Sequence, residues 1–389
     1  MLNVFMHPCT FWFGRYGGVA RYVCELIAHL REEGVKVHLP IKNTYCEYLK
    51  EASFFPETSA EAPGVPWYAA AVEKICSFGS IALADKGHRF ALRQEIRRYM
   101  AKEHHFDVIH PTHVSAYDLL PHIGNTPLVT TVHDMTHELF PDSFPQWDPT
   151  AARKQEYSRL SDRIIAISEC TKKDLVEICG IEPERVDVVH HGNSLILPAD
   201  AATRPMDLPE NYVLFVGKRP GYKNFDIFLH AFAEIAAQER ELHLICAGGG
   251  AFSPAELELA DKLHLRGRVQ QRWVTDEELA ILYNRCAVFV YPSAYEGFGL
   301  PLLEAFACGA PVLCANASCF PEIAANGADY FPADDAAAMV TCMQRVLGSS
   351  GYAQDLRARG AERLTHFSWQ RCAQETLQTY KKAIAQKHP

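Results

Sequence analysis

Short runs of β-branched and other apolar residues alternate along this chain with stretches in which apolar positions recur every three to four residues. In the first half the apolar runs predict strands at Leu2–Met6, Val37–Leu39, Val108–His110, Leu128–Val132, Ile164–Ile167 and Val186–Val189, with helices such as Val19–Glu33 and Thr171–Ile178 between them. This alternation implies parallel sheets with right-handed crossovers. At Leu195–Pro209 it breaks into LILPADAATRPMDLP, whose prolines and lack of periodicity read as a linker. It then restarts: strands at Tyr212–Val216, Leu242–Ala247, Val288–Tyr291 and Pro311–Cys314, and helices at Phe225–Gln238, Pro254–Leu263, Asp276–Arg285 and Leu300–Cys308. A restart after a linker implies two doubly wound α/β domains in tandem, the first ending near residue 195. Ligands of such sheets bind beyond the carboxyl ends of the strands, so a cleft between the domains is the expected site.

Composition agrees with that division. With 389 residues, 48% of them hydrophobic, the chain can bury two ordinary cores and is long for one. A formal charge of −9 argues against a nucleic-acid partner, whose binding would draw on clustered Lys and Arg. The thirteen cysteines include no C-x-x-C pair, and several lie in apolar runs, as Cys246 does in HLICAG. They read as reduced thiols packed as small hydrophobes. The N-terminus, MLNVFMHPCTFW, has neither a basic region nor a long apolar one, and no apolar run reaches about 18 residues. The expectation is a cytoplasmic, soluble protein.

The most informative stretch is VFVYPSAYEGFGLPLLE, Val288 to Glu304. A strand enters a Gly-rich turn and then a helix, with Glu296 before the turn and Glu304 on the helix. Backbone N–H groups at Gly297, Phe298, Gly299 and Leu300, at the positive end of the helix dipole, suit a pyrophosphate. The two carboxylates, acceptors when ionised, suit hydroxyls on either side of it. A nucleotide-sugar has that shape. In VLFVGKRPGYKNF, Arg219 and Lys223 follow a strand end four residues apart and can neutralise a diphosphate as it leaves. Alone, such a basic loop reads as a solvated charge pair; beside the Glu296 segment it reads as part of one site. Gly17-Gly18, in FGRYGGVARYVCEL, forms another anion-friendly turn before a helix, or an ordinary loop. His133 and Asp134 end an apolar strand, where His133 can meet a sugar hydroxyl or be satisfied by a local turn. The His133-x3-His137 and His110-x2-His113 spacings lack thiolate or carboxylate company, so no zinc site is expected. No D-x-D triplet supports an Asp-held Mg²⁺, and no G-x-G-x-x-G follows a strand as a dinucleotide cofactor would want. Neither a metal nor a cofactor is expected.

The run FVYPSAYEGFGLPLLEAFACGAPVLCANASCFPEI closely resembles the signature of the retaining glycosyltransferases of family four, which have the GT-B fold, and Glu296 and Glu304 match its Glu-x7-Glu pair. GGVARY, VHDMTHELFP, IIAISECTKKDL, VGKRPGYKNF, VTDEELAILY and FSWQRCAQETLQTYKKA agree in order, so the resemblance spans nearly the whole chain. Lys218 departs from it, standing where relatives with GYKNF usually carry a small residue. The resemblance implies two Rossmann-like domains facing across a cleft. Residues 1–195 would bind the acceptor, 196–370 the nucleotide-sugar donor, and 371–389 would form a helix returning to the first domain. It implies that Glu296 lies near the donor sugar's hydroxyls and that Glu304 holds the ribose diol. Arg219 and Lys223 would bind the phosphates with Gly299, Leu300 and the Gly17-Gly18 turn, His133 would approach the sugar, and the Val274 backbone would lie near the base. Glu296 as a nucleophile is the sharper alternative to a role in orienting hydroxyls. Likeness to the GYKNF-type mannosyltransferases points to GDP-mannose as donor and to a glycan or lipid-linked acceptor in polysaccharide or lipopolysaccharide assembly. A synthase of a small soluble glycoside or sugar phosphate, and a non-catalytic nucleotide-sugar-binding module, are the alternatives.

The acceptor is harder to read. A basic row on a predicted helix from Lys86 to Lys102, with Arg89, Arg93 and Arg97, suits anionic lipid headgroups at the inner membrane face or a lipid diphosphate, or is a solvated helix face. Phe90, Ile96 and Tyr99 nearby suit core contacts equally well. Phe11, Trp12, Phe13 and Tyr16 form an acceptor wall or pack inward. By the same resemblance the helix Trp369–Ala385 couples the domains, and hinge closure would exclude water from the donor.

Overall fold

The computed structural model describes residues 1–12, 17–40, 46, 48, 96–97, 99–100, 105–113 and 123–387. Arg89 and Arg93 of the basic row, the neighbouring Phe90, and Phe13 and Tyr16 of the aromatic group lie outside these residues. Twelve strands occur among the described residues. In the first half they are β1 Asn3–Met6, β2 Lys36–His38, β3 Val108–His110, β4 Val129–Val132, β5 Arg163–Ala166 and β6 Val186–Val188. These pair in parallel as β2-β1-β3 and β4-β5-β6, and a parallel bridge between Ile109 and Leu128 joins the two groups. The second half holds one six-stranded sheet of β7 Asn211–Val216, β8 Leu242–Ala247, β9 Val269–Arg272, β10 Val288–Tyr291, β11 Val312–Ala315 and β12 Asp329–Phe331. Its strands, all parallel, run in the order β9-β8-β7-β10-β11-β12.

That order reverses between β7 and β10. The crevice beyond the carboxyl ends of these two neighbours is where an open parallel sheet takes a ligand. The loops that open there carry Lys223 and Glu296. Strand β10, VFVY, is buried on both faces as a central parallel strand should be. At the sheet edge β9, VQQR, is only partly buried, so it has no apolar run and escapes a reading based on hydrophobicity. Strand β12 and the helices Thr150–Leu160, Ala336–Leu347 and Ser350–Leu364 are further elements that the apolar pattern does not single out.

Each half has its own apolar core. In the first, Val4, Val23, Ile27, Val108, Val129 and Ile165 are buried together with Cys372, Ala373, Tyr380 and Ala383 of the helix Trp369–Lys387. This last helix therefore packs into the core of the first half. His110 joins them polarly, with Nδ1 2.6 Å from the Tyr380 hydroxyl and Nε2 2.8 Å from Thr131 Oγ1. The two connecting segments touch near Gly192, where a Cβ would lie 2.3 Å from the Trp369 nitrogen, and the Trp369 indole donates to Ser194 Oγ at 2.7 Å.

Ile96 and Tyr99 are core contacts: Ile96 packs with Phe5 and Phe106, and the Tyr99 hydroxyl lies 2.8 Å from His38 Nδ1. Arg97 is exposed. Phe11 is buried in the first core, so it packs inward. No helix among the described residues is long and apolar enough to cross a membrane.

Candidate active site

The loop after β10 is fixed by backbone contact across the cleft. A Cβ on Gly297 would fall 1.7 Å from the His133 carbonyl oxygen, so only glycine permits this approach. The Gly297 carbonyl accepts from Ser168 Oγ at 2.7 Å and Thr171 Oγ1 at 3.4 Å. Two residues before it, the Tyr295 hydroxyl donates to Asp174 at 2.6 Å and accepts from the Met135 N–H at 3.1 Å. Ser168, Thr171, Asp174, His133 and Met135 all belong to the first half. The loop is thus held at its tip by the opposite half of the molecule.

From this loop Glu296 meets Lys223 at 2.5 Å, and its N–H donates to Ser318 Oγ at 3.1 Å. Burial, the largest single influence, works against the Lys223 ammonium, but Glu296, Tyr222 and Asp134 together outweigh it and the net shift is upward, so Lys223 stays charged. Gly299 then turns left-handed at φ 88° and opens the helix Leu300–Ala307 with no side-chain cap. No side-chain cap is seen at its amide end among the described residues, which suits a phosphate. Facing it, a Cβ on Gly18 would lie 3.4 Å from Leu300 Cδ1. The Gly17-Gly18 turn and the Gly299-Leu300 turn, nearly three hundred positions apart in sequence, are neighbours here. Phe298 is buried against His191, with ring centroids 4.8 Å apart.

Glu304 lies one turn into the same helix and is 8% exposed. Its Oε2 accepts from the Tyr283 hydroxyl at 3.3 Å, and its Oε1 lies 3.5 Å from Arg21 of the first half. Arg21 is held more tightly by Asp276, at 2.6 Å, and also donates to the Tyr48 hydroxyl at 2.6 Å. Asp276 sits in the first turn of the helix Asp276–Arg285, whose start is fixed by the Thr275–Glu278 capping box. Val274, just before that cap, lines an open groove of about 710 Å³ with Arg272, Trp273 and Glu278.

His133 follows β4, and its Nε2 donates to the Thr112 carbonyl at 2.8 Å. The ring meets Tyr22 edge-on at 5.1 Å, and burial holds its pKa below the usual value. It is a neutral imidazole whose backbone carbonyl abuts Gly297. Arg219 is placed differently from Lys223. Its Nε donates to Glu256 at 2.6 Å, and its other nitrogens donate to the carbonyls of Gly248, Gly250 and Ala251, while the guanidinium stacks over Phe252 at 4.7 Å. Gly248, Gly249 and Gly250 are left-handed, and a Cβ on Gly249 would lie 2.9 Å from an Arg219 nitrogen. The glycine triplet is thus the cradle of this guanidinium.

The fold therefore gathers Glu296, Lys223, Gly297, Phe298, Gly299, Leu300, Glu304, Gly18 and the His133 backbone around one cleft. Arg219 is engaged with the neighbouring loop. Periodicity and motif reading gave no sign of Arg21, Asp276, Tyr283 or Glu322. The Glu322 carboxylate reaches from the second half to the N–H groups of Glu169 (2.9 Å) and Cys170 (3.3 Å), capping a helix of the first, and accepts from His190 Nε2 at 2.6 Å. The only available signal for Arg21 was its place one turn past Gly17-Gly18, on a helix already aimed at the cleft. Among the described residues no three His, Cys, Asp or Glu side chains are grouped to hold a metal ion.

Residues 16–195 match the model described as Glycosyltransferase Family 4, and residues 200–363 the model described as Glycosyl transferases group 1. The O-antigen chain mannosyltransferase B of Escherichia coli is 27% identical over 268 residues, covering 65% of this chain and 70% of that protein. A D-inositol 3-phosphate glycosyltransferase of a Nocardioides species is 28% identical over 423 residues, covering 96% and 87%. Among solved structures, Anabaena HepE in complex with UDP-glucose superposes with a TM-score of 0.70 at 17% identity, covering 98% of this chain and 100% of that one. With two parallel Rossmann-like sheets meeting at a cleft and both halves matching, the chain belongs to the group 1 glycosyltransferases of family four and has the GT-B fold.

Proposed function

We propose that this glycosyltransferase moves a hexose, with configuration retained, from a nucleotide-diphosphate-sugar to a hydroxyl of a glycan or lipid-linked acceptor. The observation that carries this reading is the meeting of the Glu296–Lys223 pair, the uncapped Leu300 helix start and Glu304 along one wall of the cleft, with Gly18 and the His133 backbone opposite. A diphosphate at the helix start would exchange Lys223 away from Glu296, leaving that carboxylate to accept the sugar's hydroxyls. Glu304 would hold the ribose diol and the Val274 backbone would flank the base. Lys223 stabilises the leaving phosphate, which itself takes the acceptor's proton as attack occurs from the face it leaves. Arg219 reaches a phosphate only by giving up Glu256 and the carbonyls of the Gly248 turn. Because Lys223 and Arg219 supply the positive charge, the proposal calls for no metal and no cofactor.

In this proposal residues 1–195 take the acceptor, 196–370 the donor, and 371–389 complete the first domain. GDP-mannose is the proposed donor, supported by the E. coli mannosyltransferase among the relatives. HepE, solved with UDP-glucose, supports a nucleotide-sugar of some base. Cell-surface polysaccharide or lipopolysaccharide assembly is the proposed setting, on the cytoplasmic side, with Arg97 as one exposed basic residue for a membrane contact. A second reading, transfer to a small phosphorylated polyol, is favoured by the inositol-phosphate glycosyltransferase, which aligns over nearly the whole chain. The test is a thermal-shift panel of GDP-, UDP- and ADP-sugars with and without EDTA, followed by transfer assays and NMR of the product anomer. A ligand that binds only the native state raises the midpoint. A shift with GDP-mannose and an α-linked product support the reading; no shift with any donor overturns it. In the same assay Arg219→Ala lowers turnover more than donor affinity.

A further inference from the structure

Glu304 is a buried carboxylate whose nearest cation comes from the other half of the molecule. Its own half supplies the Tyr283 hydroxyl at 3.3 Å and, through Arg21, the negative Asp276. Tyr48 and Cys308 also face it, but burial pushes each of them up to about 12, so both are neutral at working pH. Arg21 of the helix Gly18–Glu32 is thus the positive group against Glu304 among the described residues. Taking a carboxylate out of water without a cation is costly, and the usual outcome is protonation. Burial pushes Glu304 above the ordinary carboxylate range and Arg21 opposes that push; Asp276 adds to it and the Tyr283 hydrogen bond opposes it.

The contacts are also long enough to leave room. At 3.5 and 3.3 Å, Arg21 and Tyr283 each occupy one side of one oxygen, so both oxygens keep a lone pair for a diol. Asp276, at 2.6 Å, anchors Arg21 without taking Glu304 out of use. We propose that Arg21 is a positioning residue for the donor's nucleoside, reaching from the opposite half to keep Glu304 an ionised and oriented acceptor. The nucleoside subsite is then complete only when the halves meet. By linkage, nucleotide binding favours the closed arrangement by the same factor that closure favours nucleotide binding. This inference rests on the assignment of Glu304 to the nucleoside.

The test is calorimetric titration of GDP, UDP and ADP into the full chain between pH 6 and 9, using the tightest binder, for the native protein, Arg21→Gln, Arg21→Lys and Glu304→Gln. The native protein is expected to bind with little pH dependence. Arg21→Gln should bind about tenfold more weakly at pH 6.5 and recover as pH rises and Glu304 ionises without help. Arg21→Lys should restore part of the affinity, and Glu304→Gln should be weak at every pH. Native-like affinity and profile in Arg21→Gln, with Glu304→Gln weakened, overturn this inference alone. A pH-independent loss that Arg21→Lys does not relieve also overturns it. Native-like binding by Glu304→Gln removes the site assignment beneath it. Should Arg21→Gln fail to fold, Arg21→Met and X-ray scattering of the native protein with and without nucleotide read the same linkage, and absence of compaction on binding counts against it.

Discussion

Glu296 and Glu304 stand eight residues apart on one strand–turn–helix unit, yet they are neutralised in opposite ways. Glu296 pairs with Lys223 of its own half, across adjacent strands of one sheet. Glu304 is balanced by Arg21 of the other half, more than 280 residues away in sequence. Both partners of the first pair come from one half, although the loop that carries Glu296 is also held at Tyr295 and Gly297 by the other. The second exists only when the two halves are docked. One wall of the cleft therefore contains a carboxylate paired within its own half beside one paired across the two halves.

The largest effect that separates the two is expected at Glu296. Glu296→Gln keeps the shape and removes the charge, and kcat should fall by about 10²–10³-fold with a small change in donor KM; steady-state kinetics check this. An equal loss in KM would remove the distinction between the carboxylates. Gly297→Ala should come next. Its methyl group meets the His133 carbonyl, and the resulting misplacement of the loop should lower turnover on the order of 10²-fold while both cores keep their melting behaviour. Glu304→Ala should act on binding instead, raising donor KM by about 10-fold or more, as loss of a charged hydrogen-bonding partner costs roughly 1.5–3 kcal/mol. Unchanged KM would place the ribose elsewhere. Glu322→Ala should lose about 1 kcal/mol by taking the carboxylate from the Glu169 and Cys170 N–H groups of the Glu169–Cys179 helix, whose Ser168 cap remains, read as a lower midpoint in urea.

A pH dependence also reports the packing of the first half around its histidines. Burial holds His110 down at about 3 and His113 at about 4, and it lowers His133 and His191 as well. The unfolded chain then binds more protons than the native one between those lowered values and the ordinary histidine range. Stability is therefore full above about pH 6.5 and is lost as pH falls below it, by up to about 1.4 kcal/mol per unit for each histidine. Chemical denaturation at pH 7.5, 6 and 5 measures this, and a flat profile would contradict neutral burial of these rings.

Much of the architecture is legible in the sequence. Strands β7, β8 and β10 have apolar runs because they are central and covered on both faces, so burial writes itself into residue type. Strand β9 was not legible, because an edge strand is defined by its backbone pairing to β8 and its side chains Gln270, Gln271 and Arg272 carry no apolar pattern. The Glu296 loop was legible for a different reason: a strand end, glycines at a turn and a helix start are local features. The cradle of Arg219 was not, although its three glycines were visible, because nothing in GGG says which guanidinium it receives.

The same boundary runs through the site itself. Sequence alone determined two α/β halves, a phosphate-suited turn beside Glu296, and two carboxylates spaced to face one cleft, since these follow from periodicity and from neighbours within a few residues. Only the tertiary structure decided which cation answers each carboxylate, that Arg219 turns to Glu256, and that Gly297 lies against His133. A buried charge or a bare backbone contact is satisfied by whatever the fold brings within about 3–4 Å, and that proximity is a property of packing between halves, which residue order does not encode locally.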